Sequence, residues 1–462
     1  MRNECSLDAT GREKNTLVFP GRTFDLLRQA LLLGSPLESA CFVLASCSDI
    51  GEGSRRLVVV AVIQLDESAY QERTAWSIQV AARALADATK RARTENLSLF
   101  VAHTHPTADL VLPSATDRAG ERMWLPAISR RAPHKPHGRL IIGKSDVCAA
   151  LLSPDGVEAP LRVIQLGDSI VECSSTDGAD AINYSRHDRQ VRAFGAEGQA
   201  QLTLLHVGVV GVGGTGSVVV EQLAHLGVGR MTLVDPDVLE ESNLNRVVGA
   251  SPSDVGSPKV VVATALVARV NEHCKVLPIQ GDVRDVVIAR HLLACDFIFC
   301  CTDTEGSRAI INQIAYQFCI PTIDLGVAIV VSASGVSHIS GRVQLLSPTQ
   351  PCLLCCRALD AEQVRRDLLT EEERAKDRYI LGSSVAQPAV ISINSATASL
   401  AVTMMLATVT AIPVASRHQR LRFESGVVSS VQVETNTACP ICSPGGTLAR
   451  GDTFAFPGRR QA

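Results

Sequence analysis

This sequence of 462 residues predicts two α/β units in series. The first is an α+β unit, and the second is a doubly wound, mostly parallel sheet of Rossmann type. Three observations predict this. The length exceeds what one hydrophobic core usually serves. The first third mixes strand and helix runs, whereas the second half alternates them in regular order. Between the two lies a polar stretch, GDSIVECSSTDGADAINYSRHD, which reads as a linker. The expected boundaries are 1–165 for the first unit, 166–184 for the linker, 185–445 for the second unit and 446–462 for a poorly ordered tail.

In the first unit, RTFDLLRQALLLG has helical apolar spacing and stops at Gly34. ACFVLASC and RRLVVVAVIQLD read as strands, and AWSIQVAARALADATKRA as an alanine-rich helix. LSLFVAHTH is a strand that carries His103 and His105 to its end, and GRLIIG with SDVCAALLSPDG forms a further hairpin. The second unit opens with the strand LLHVGVV, a glycine loop and a helix. RMTLVD, CDFIFCCTD and PTIDLGV are its next strands, and KVVVATALVARVN and GSRAIINQIAYQFC are helices between them. INSATASLAVTMMLATVTAIP is apolar but carries Ser, Thr and Asn and ends at a proline, so a buried core helix is expected rather than a membrane span.

Composition narrows the function. Hydrophobic residues make up 46% and charged residues 20%, as in globular chains. The formal net charge of −3 gives no electrostatic case for nucleic acid or an anionic membrane as partner. The N-terminal stretch has no apolar h-region. The 15 cysteines include two CxxC pairs, which points to reduced, metal-binding thiols rather than a disulfide framework, and so to a cytoplasmic chain.

The stretch VAHTHPTADLVLPSATD carries the first chemical signal. Residues i and i+2 of a strand share a face, so His103 and His105 aim two imidazoles at one point. Asp117 adds a carboxylate. Three N/O ligands leave a fourth tetrahedral position open, which is the pattern of a catalytic rather than a structural zinc, able to make hydroxide available at neutral pH. Ser114 is placed as donor to a developing oxyanion, and Glu38, just ahead of a strand, as the base. H-x-H, eight residues, then S-x-x-D resembles the signature of the JAB/MPN metalloprotease family. Glu38 matches that family's glutamate, and the element order matches as well. The resemblance covers roughly the first third of the chain. It implies cleavage after the C-terminal glycine of ubiquitin or a ubiquitin-like protein.

The second signal is VVGVGGTGS, with Gly211, Gly213 and Gly216 between a strand and a helix. Glycines let the backbone approach a phosphate, and the helix N-terminus attracts its charge. Asp235 ends the next strand, where a carboxylate can hold a ribose hydroxyl. A lone GxGxxG also suits a dehydrogenase. Here Asp237, Asn243, Asn245 and Arg246 follow directly, Lys259 opens a later helix, and Asp303 ends a strand, where it can hold Mg²⁺. Two cations near a phosphate site suit a triphosphate under attack. This set resembles the ThiF family, the adenylating fold of ubiquitin-activating enzymes, over about residues 185–445. The resemblance implies attack on ATP by a protein's C-terminal carboxylate, giving an acyl-adenylate and pyrophosphate. It also implies that Arg189 of RHDRQ, or secondarily Arg186, enters the partner subunit's ATP site, and hence a homodimer.

Cys352 and Cys355 of PCLLCC, with Cys439 and Cys442 of ACPICS, read as a structural tetrahedral zinc site, placed as in the ThiF family. Many ThiF relatives carry an acceptor cysteine in a loop between such pairs. The corresponding RYILGSSVAQPAV has none, with Tyr379 or Ile380 at about that place. A loop thioester is therefore not expected, whereas adenylation itself needs no such residue. Cys356 is a displaced candidate acceptor, its thiolate favoured by zinc and Arg357; packing is the competing reading.

Together the two resemblances imply a bifunctional enzyme of a bacterial ubiquitin-like modification system. It would be a zinc (iso)peptidase that also adenylates the C-terminal glycine of a ubiquitin-like protein and passes it to a conjugating enzyme's cysteine. The alternative is activation of a sulfur-carrier protein for thiamin, molybdopterin or cysteine synthesis. A scaffold that binds such a protein without turnover is the non-enzymatic reading.

Overall fold

The computed structural model describes residues 15–174, 184–333, 335–370, 373 and 388–459. They fall into two compact units. The first holds the described residues up to 174, with Gln317–Cys319 and Thr447–Ala455, and the second holds the rest.

The first unit runs β1 (Asn15–Pro20), α1 (Thr23–Leu32), β2 (Ala40–Gly51), β3 (Ser54–Gln64), β4 (Tyr70–Arg73), β5 (Ile78–Val80), α2 (Ala82–Thr94), β6 (Ser98–Thr104), α3 (Ala115–Arg131), β7 (His137–Ile142), β8 (Val147–Leu152), β9 (Glu158–Leu166) and β10 (Ile170–Glu172). The sheet order is β1-β3-β2-β6-β7-β8-β9-β10, and β1 also pairs with β9. Seven strands thus close into a barrel-like ring, which removes the free edges an open sheet would leave. The sequence reading names five of these strands but not β1 or β9, whose pairing of Leu17 with Val163 across most of the unit makes the closure. Strand alternation sorts the apolar side chains. Cys41, Val43 and Ala45 join a core with Leu17, Phe24, Phe100 and Leu140, whereas Phe42 and Leu44 join α2 and α3 through Ala88, Ala92 and Ile128.

Three sequence expectations shift here. The alanine-rich helix begins only at Ala82, because Ile78–Val80 pairs with Tyr70–Arg73 as a hairpin. β10 occupies part of the expected linker, and the rest of it, 175–183, lies outside the described residues. The segment after Cys442, expected to be poorly ordered, is ordered as far as it is described. Within the first unit, Ser46 Oγ donates to the Ala449 carbonyl at 2.9 Å, and the Asp452 N–H donates to Ser48 Oγ at 3.1 Å. Composition misses this because the anchoring is by backbone.

The second unit begins with α4 (Tyr184–Leu204), kinked at Phe194 and Gly195. There follow β11 (His206–Val210), α5 (Gly216–Leu226), β12 (Arg230–Asp235), α6 (Lys259–Val270), β13 (Lys275–Gln280), α7 (Val286–Arg290), β14 (Phe297–Cys300), α8 (Glu305–Gln317), β15 (Thr322–Ser332), β16 (Gly335–Leu346), α9 (Ala361–Leu368), α10 (Ile391–Val409), β17 (His418–Arg422) and β18 (Val427–Ser430). The sheet order is β13-β12-β11-β14-β15-β16-β17-β18. The first five strands are parallel and the last three are added antiparallel. Strand order reverses between β11 and β14, which opens a crevice at their C-terminal ends. By composition α10 is apolar enough for a bilayer, but Ala398, Ala401, Met404 and Met405 are buried. It packs on α5, β15 and β16, and Gln222 of α5 donates to Ser399 Oγ at 2.8 Å.

Candidate functional site

In the first unit, sheet register assembles the histidine site. His103 pairs with Ala40 of β2 and Ile141 of β7. The Thr104 N–H donates to the Ser39 carbonyl, and the Ser39 N–H donates to Thr104 Oγ1, both at 2.9 Å. That clasp sets Glu38 beside His105, with Glu38 Oε1 3.9 Å from His105 Nε2. Arg73 Nε, donating to the Glu38 carbonyl at 2.8 Å, fixes the backbone there. Asp117 comes from α3. Its Oδ1 lies 3.0 Å from His103 Nε2 and its Oδ2 3.3 Å from His105 Nε2.

The S-x-x-D spacing has a local cause that the metal reading passed over. Ser114 caps α3, accepting at Oγ from the Asp117 N–H at 3.1 Å, while its own N–H donates to Asp117 Oδ2 at 2.6 Å. This is a capping box. It locks the rotamer of Asp117, and the Ser114 side chain also helps hold that carboxyl low.

These groups fit a metal ion. The ligand atoms of His103, His105 and Asp117 lie within 4.8 Å of one another. His103 Nε2 is shielded from solvent, and among the described residues it faces only the Asp117 carboxylate. Two imidazole nitrogens and a carboxylate turned on one point form a donor set for a cation. Two nitrogens and an oxygen suit zinc. Burial pushes the Glu38 carboxyl up against the opposing pull of the two histidines. Burial also acts to raise Asp117, but the two imidazoles outweigh it and hold the carboxyl far below its usual range.

In the second unit the glycine turn follows β11. Gly211 has φ +85°, and a Cβ at Gly216 would lie 1.8 Å from the Gly211 carbonyl oxygen, so both positions require glycine. Among the described residues a Cβ at Gly213 would meet nothing within 4 Å, which leaves space there for a phosphate above the N-terminus of α5. Asp235 is turned toward the backbone rather than the crevice. It is 4% exposed and accepts from the Val212 N–H at 2.7 Å and the Asp237 N–H at 2.9 Å. It braces the turn on which it was expected to hold a ribose. Burial raises its carboxyl despite nearby Lys259.

Lys259 Nζ donates to Asp237 Oδ2 at 2.7 Å. Arg246 Nη1 donates to the Ser242 carbonyl at 2.7 Å and to Asn245 Oδ1 at 3.1 Å. Asn243 is buried and accepts from the Glu240 N–H at 3.2 Å, so it shapes the turn. Asp303 is exposed, in the loop between β14 and α8. That loop lies on the glycine turn, because a Cβ at Gly211 would be 3.2 Å from Thr302 N. Arg186 is tied to the Val270 carbonyl. Arg189 is exposed on α4, and no described residue pairs with it. Sequence reading missed Asn394, whose Nδ2 would stand 2.5 Å from a Cβ at Gly214. It also missed a cluster of Arg308, Asp324 and Arg342; neither has a local motif.

The four cysteines converge. Cys352 and Cys439 Sγ are 3.6 Å apart, Cys355 and Cys442 Sγ are 3.5 Å apart, and all four lie within 4.8 Å. The Cys355 and Ile441 N–H groups donate to Cys352 and Cys439 Sγ. Hydrogen bonding from Cys442, outweighing burial, pushes the Cys352 thiol down. Four sulfurs held this way fit a structural zinc. Cys356 stands apart. Gln344 Nε2 donates to its Sγ at 3.2 Å, and burial pushes its thiol up, against the expected thiolate. Tyr379 and Ile380 lie outside the described residues.

A glycine turn at a strand-order reversal, with cations and a carboxylate around it, defines a nucleotide-phosphate-binding α/β unit. The chain belongs to the ThiF family, whose model matches residues 184–441. It is 35% identical over 185 residues to a molybdopterin-synthase adenylyltransferase of Salmonella typhimurium, covering 38% of this chain and 69% of that one. It is 32% identical over 181 residues to a SAMP-activating enzyme E1 of Haloferax volcanii, covering 39% of this chain and 63% of that one. A crystal structure of E. coli MccB with ATP aligns over 58% of this chain and 76% of that chain, at 19% identity and a TM-score of 0.45.

Proposed function

We propose that the second unit uses ATP to adenylate the C-terminal carboxylate of a small ubiquitin-like or sulfur-carrier protein. The observation that carries this is the open phosphate cradle at Gly213, with Arg246, Lys259 and Asp303 on neighbouring segments of a ThiF-family unit. The carboxylate oxygen attacks the α-phosphorus, the bond to the β-phosphate oxygen breaks, and pyrophosphate leaves. The glycine turn and the α5 N-terminus hold phosphate oxygens. Lys259 and Arg246 offset charge as pyrophosphate departs. Asp303 would hold Mg²⁺, which supplies charge neutralisation between phosphates. Arg189 would act in a partner subunit. The names of the relatives, one a molybdopterin-synthase adenylyltransferase, support sulfur-carrier activation better than protein conjugation.

Conjugation rests on the first unit, which we read as a JAB/MPN metallopeptidase. His103, His105 and Asp117 would hold zinc, which supplies Lewis acidity to a polarised carbonyl. Glu38 takes a proton from the attacking water and returns it to the leaving amine. Its buried, raised carboxyl suits that exchange. The Ser114 hydroxyl donates toward the developing oxyanion.

The test is ATP–pyrophosphate exchange by the full chain, driven by a small protein ending in glycine. Exchange that ignores the small protein, or none with any such protein, sinks the adenylation reading. Cleavage of a C-terminal fusion of that protein, abolished by a chelator, tests the peptidase separately.

A further inference from the structure

The Arg308–Asp324 pair is built into the wall behind Asp303. Asp324 of β15 is fully buried yet carries a carboxylate. Its Oδ1 accepts from Arg308 Nη1 at 2.6 Å, and its Oδ2 lies 2.5 Å from Arg342 Nη2. Arg308 Nη2 donates to the Thr302 carbonyl at 2.8 Å and to the Leu325 carbonyl at 3.1 Å. The Arg308 N–H donates to the Thr304 carbonyl at 3.2 Å. The guanidinium therefore ties down Thr302, directly ahead of Asp303, while the Thr304 bond is a backbone bond of α8 that any residue at 308 would make. Gly326 makes room for it, since a Cβ there would meet Arg308 Nη2 at 2.8 Å. An apolar core would serve stability at least as well as a buried ion cluster, so the cluster needs another reason.

We propose that Arg308, oriented by Asp324, is a positioning residue that holds the Asp303 loop against the glycine turn and so sets the metal affinity of the nucleotide site. This rests on the adenylation reading above. The planar fork directs separate N–H groups at the carboxylate and the two carbonyls from one rigid side chain, a spread that the compact ammonium of a lysine does not reproduce.

The experiment titrates Mn²⁺ by electron paramagnetic resonance into the full-length protein with ATP bound, and separately measures ATP affinity without metal. Asp303→Ala is the reference and should weaken Mn²⁺ binding strongly. Arg308→Lys should raise the apparent Kd for Mn²⁺ at least about tenfold, as loss of a supporting hydrogen bond behind a metal ligand does. Its metal-free ATP affinity should stay near the wild-type value. In the Asp303→Ala background, Arg308→Lys should add no further loss. If Arg308→Lys does not fold, Asp324→Asn releases the same guanidinium and is read in the same way. A drop in metal-free ATP affinity equal to the drop in Mn²⁺ affinity, or full additivity with Asp303→Ala, would show a merely structural cluster and overturn the proposal. Unchanged Mn²⁺ binding in Asp303→Ala would instead remove the metal role of Asp303, and the proposal with it.

Discussion

Ser114 and Asp117 bond to each other twice, Oγ to N–H at 3.1 Å and N–H to Oδ2 at 2.6 Å, so one capping box both starts α3 and aims a carboxylate at two histidines. Ser114→Ala removes the cap and should cost about 0.5–2 kcal/mol of stability. It also frees Asp117 to rotate, so zinc affinity of the first unit should fall while pyrophosphate exchange stays intact. Ser114→Thr should restore the stability. Denaturant unfolding and a zinc competition assay check both, and a Ser114→Ala protein with unchanged zinc affinity would separate the cap from the site.

Zinc content should be two ions per chain, one for each ligand group. His105→Ala should leave one, and Cys439→Ala should lower the thermal midpoint, because a structural zinc contributes directly to folding. Glu38→Ala should keep both ions, lose fusion cleavage by 100-fold or more on the order expected for a general base, and spare exchange. Cleavage that survives Glu38→Ala refutes the assignment of the base.

Much of this was legible because the informative signals are local. H-x-H on a strand, the glycine turn and the CxxC pairs need only short-range spacing, and each converges in space. What sequence alone missed depends on distant partners. Barrel closure needs β1 beside β9, and the ordered C-terminal segment needs Ser46 to meet Ala449. The sequence also did not show that Asp235 braces the glycine turn, because a strand-end carboxylate looks the same whether or not it accepts from the backbone of Val212 and Asp237.

Arg189 is exposed and paired with no described residue, as an arginine destined for a second subunit would be. Arg189→Ala and Asp303→Ala should each abolish exchange. Mixed under conditions of proven subunit exchange, they should regain up to about a quarter of wild-type activity, since half of the dimers are mixed and each holds one intact site. No recovery would rule out the arrangement in trans.

His418 offers a pH test. Both its ring nitrogens lack partners among the described residues, and burial, reinforced by Arg342 and Arg420, pushes it from 6.5 down to about 4. Folding therefore excludes a proton that the unfolded chain takes up. Its contribution is undiminished above pH 6.5 and is lost as pH falls toward 4, by up to about 3 kcal/mol. His418→Gln should flatten the stability curve of the full chain in that window. An unchanged slope would mean that other groups govern it.

Cys356 decides how the activated carboxyl leaves. Burial pushes its thiol up and outweighs the N–H that Gln344 donates to its Sγ, which opposes thiolate attack. The predicted product on this chain is therefore the acyl-adenylate, handed directly to a partner's nucleophile. With ATP and the cognate small protein, a non-reducing gel should show no adduct sensitive to thiol, while hydroxylamine should trap the activated carboxyl as a hydroxamate. An adduct lost in Cys356→Ala would make Cys356 the acceptor after all. An adduct that persists in Cys356→Ala would move the search to the other cysteines, beginning with the half-buried Cys148, Cys173 and Cys274.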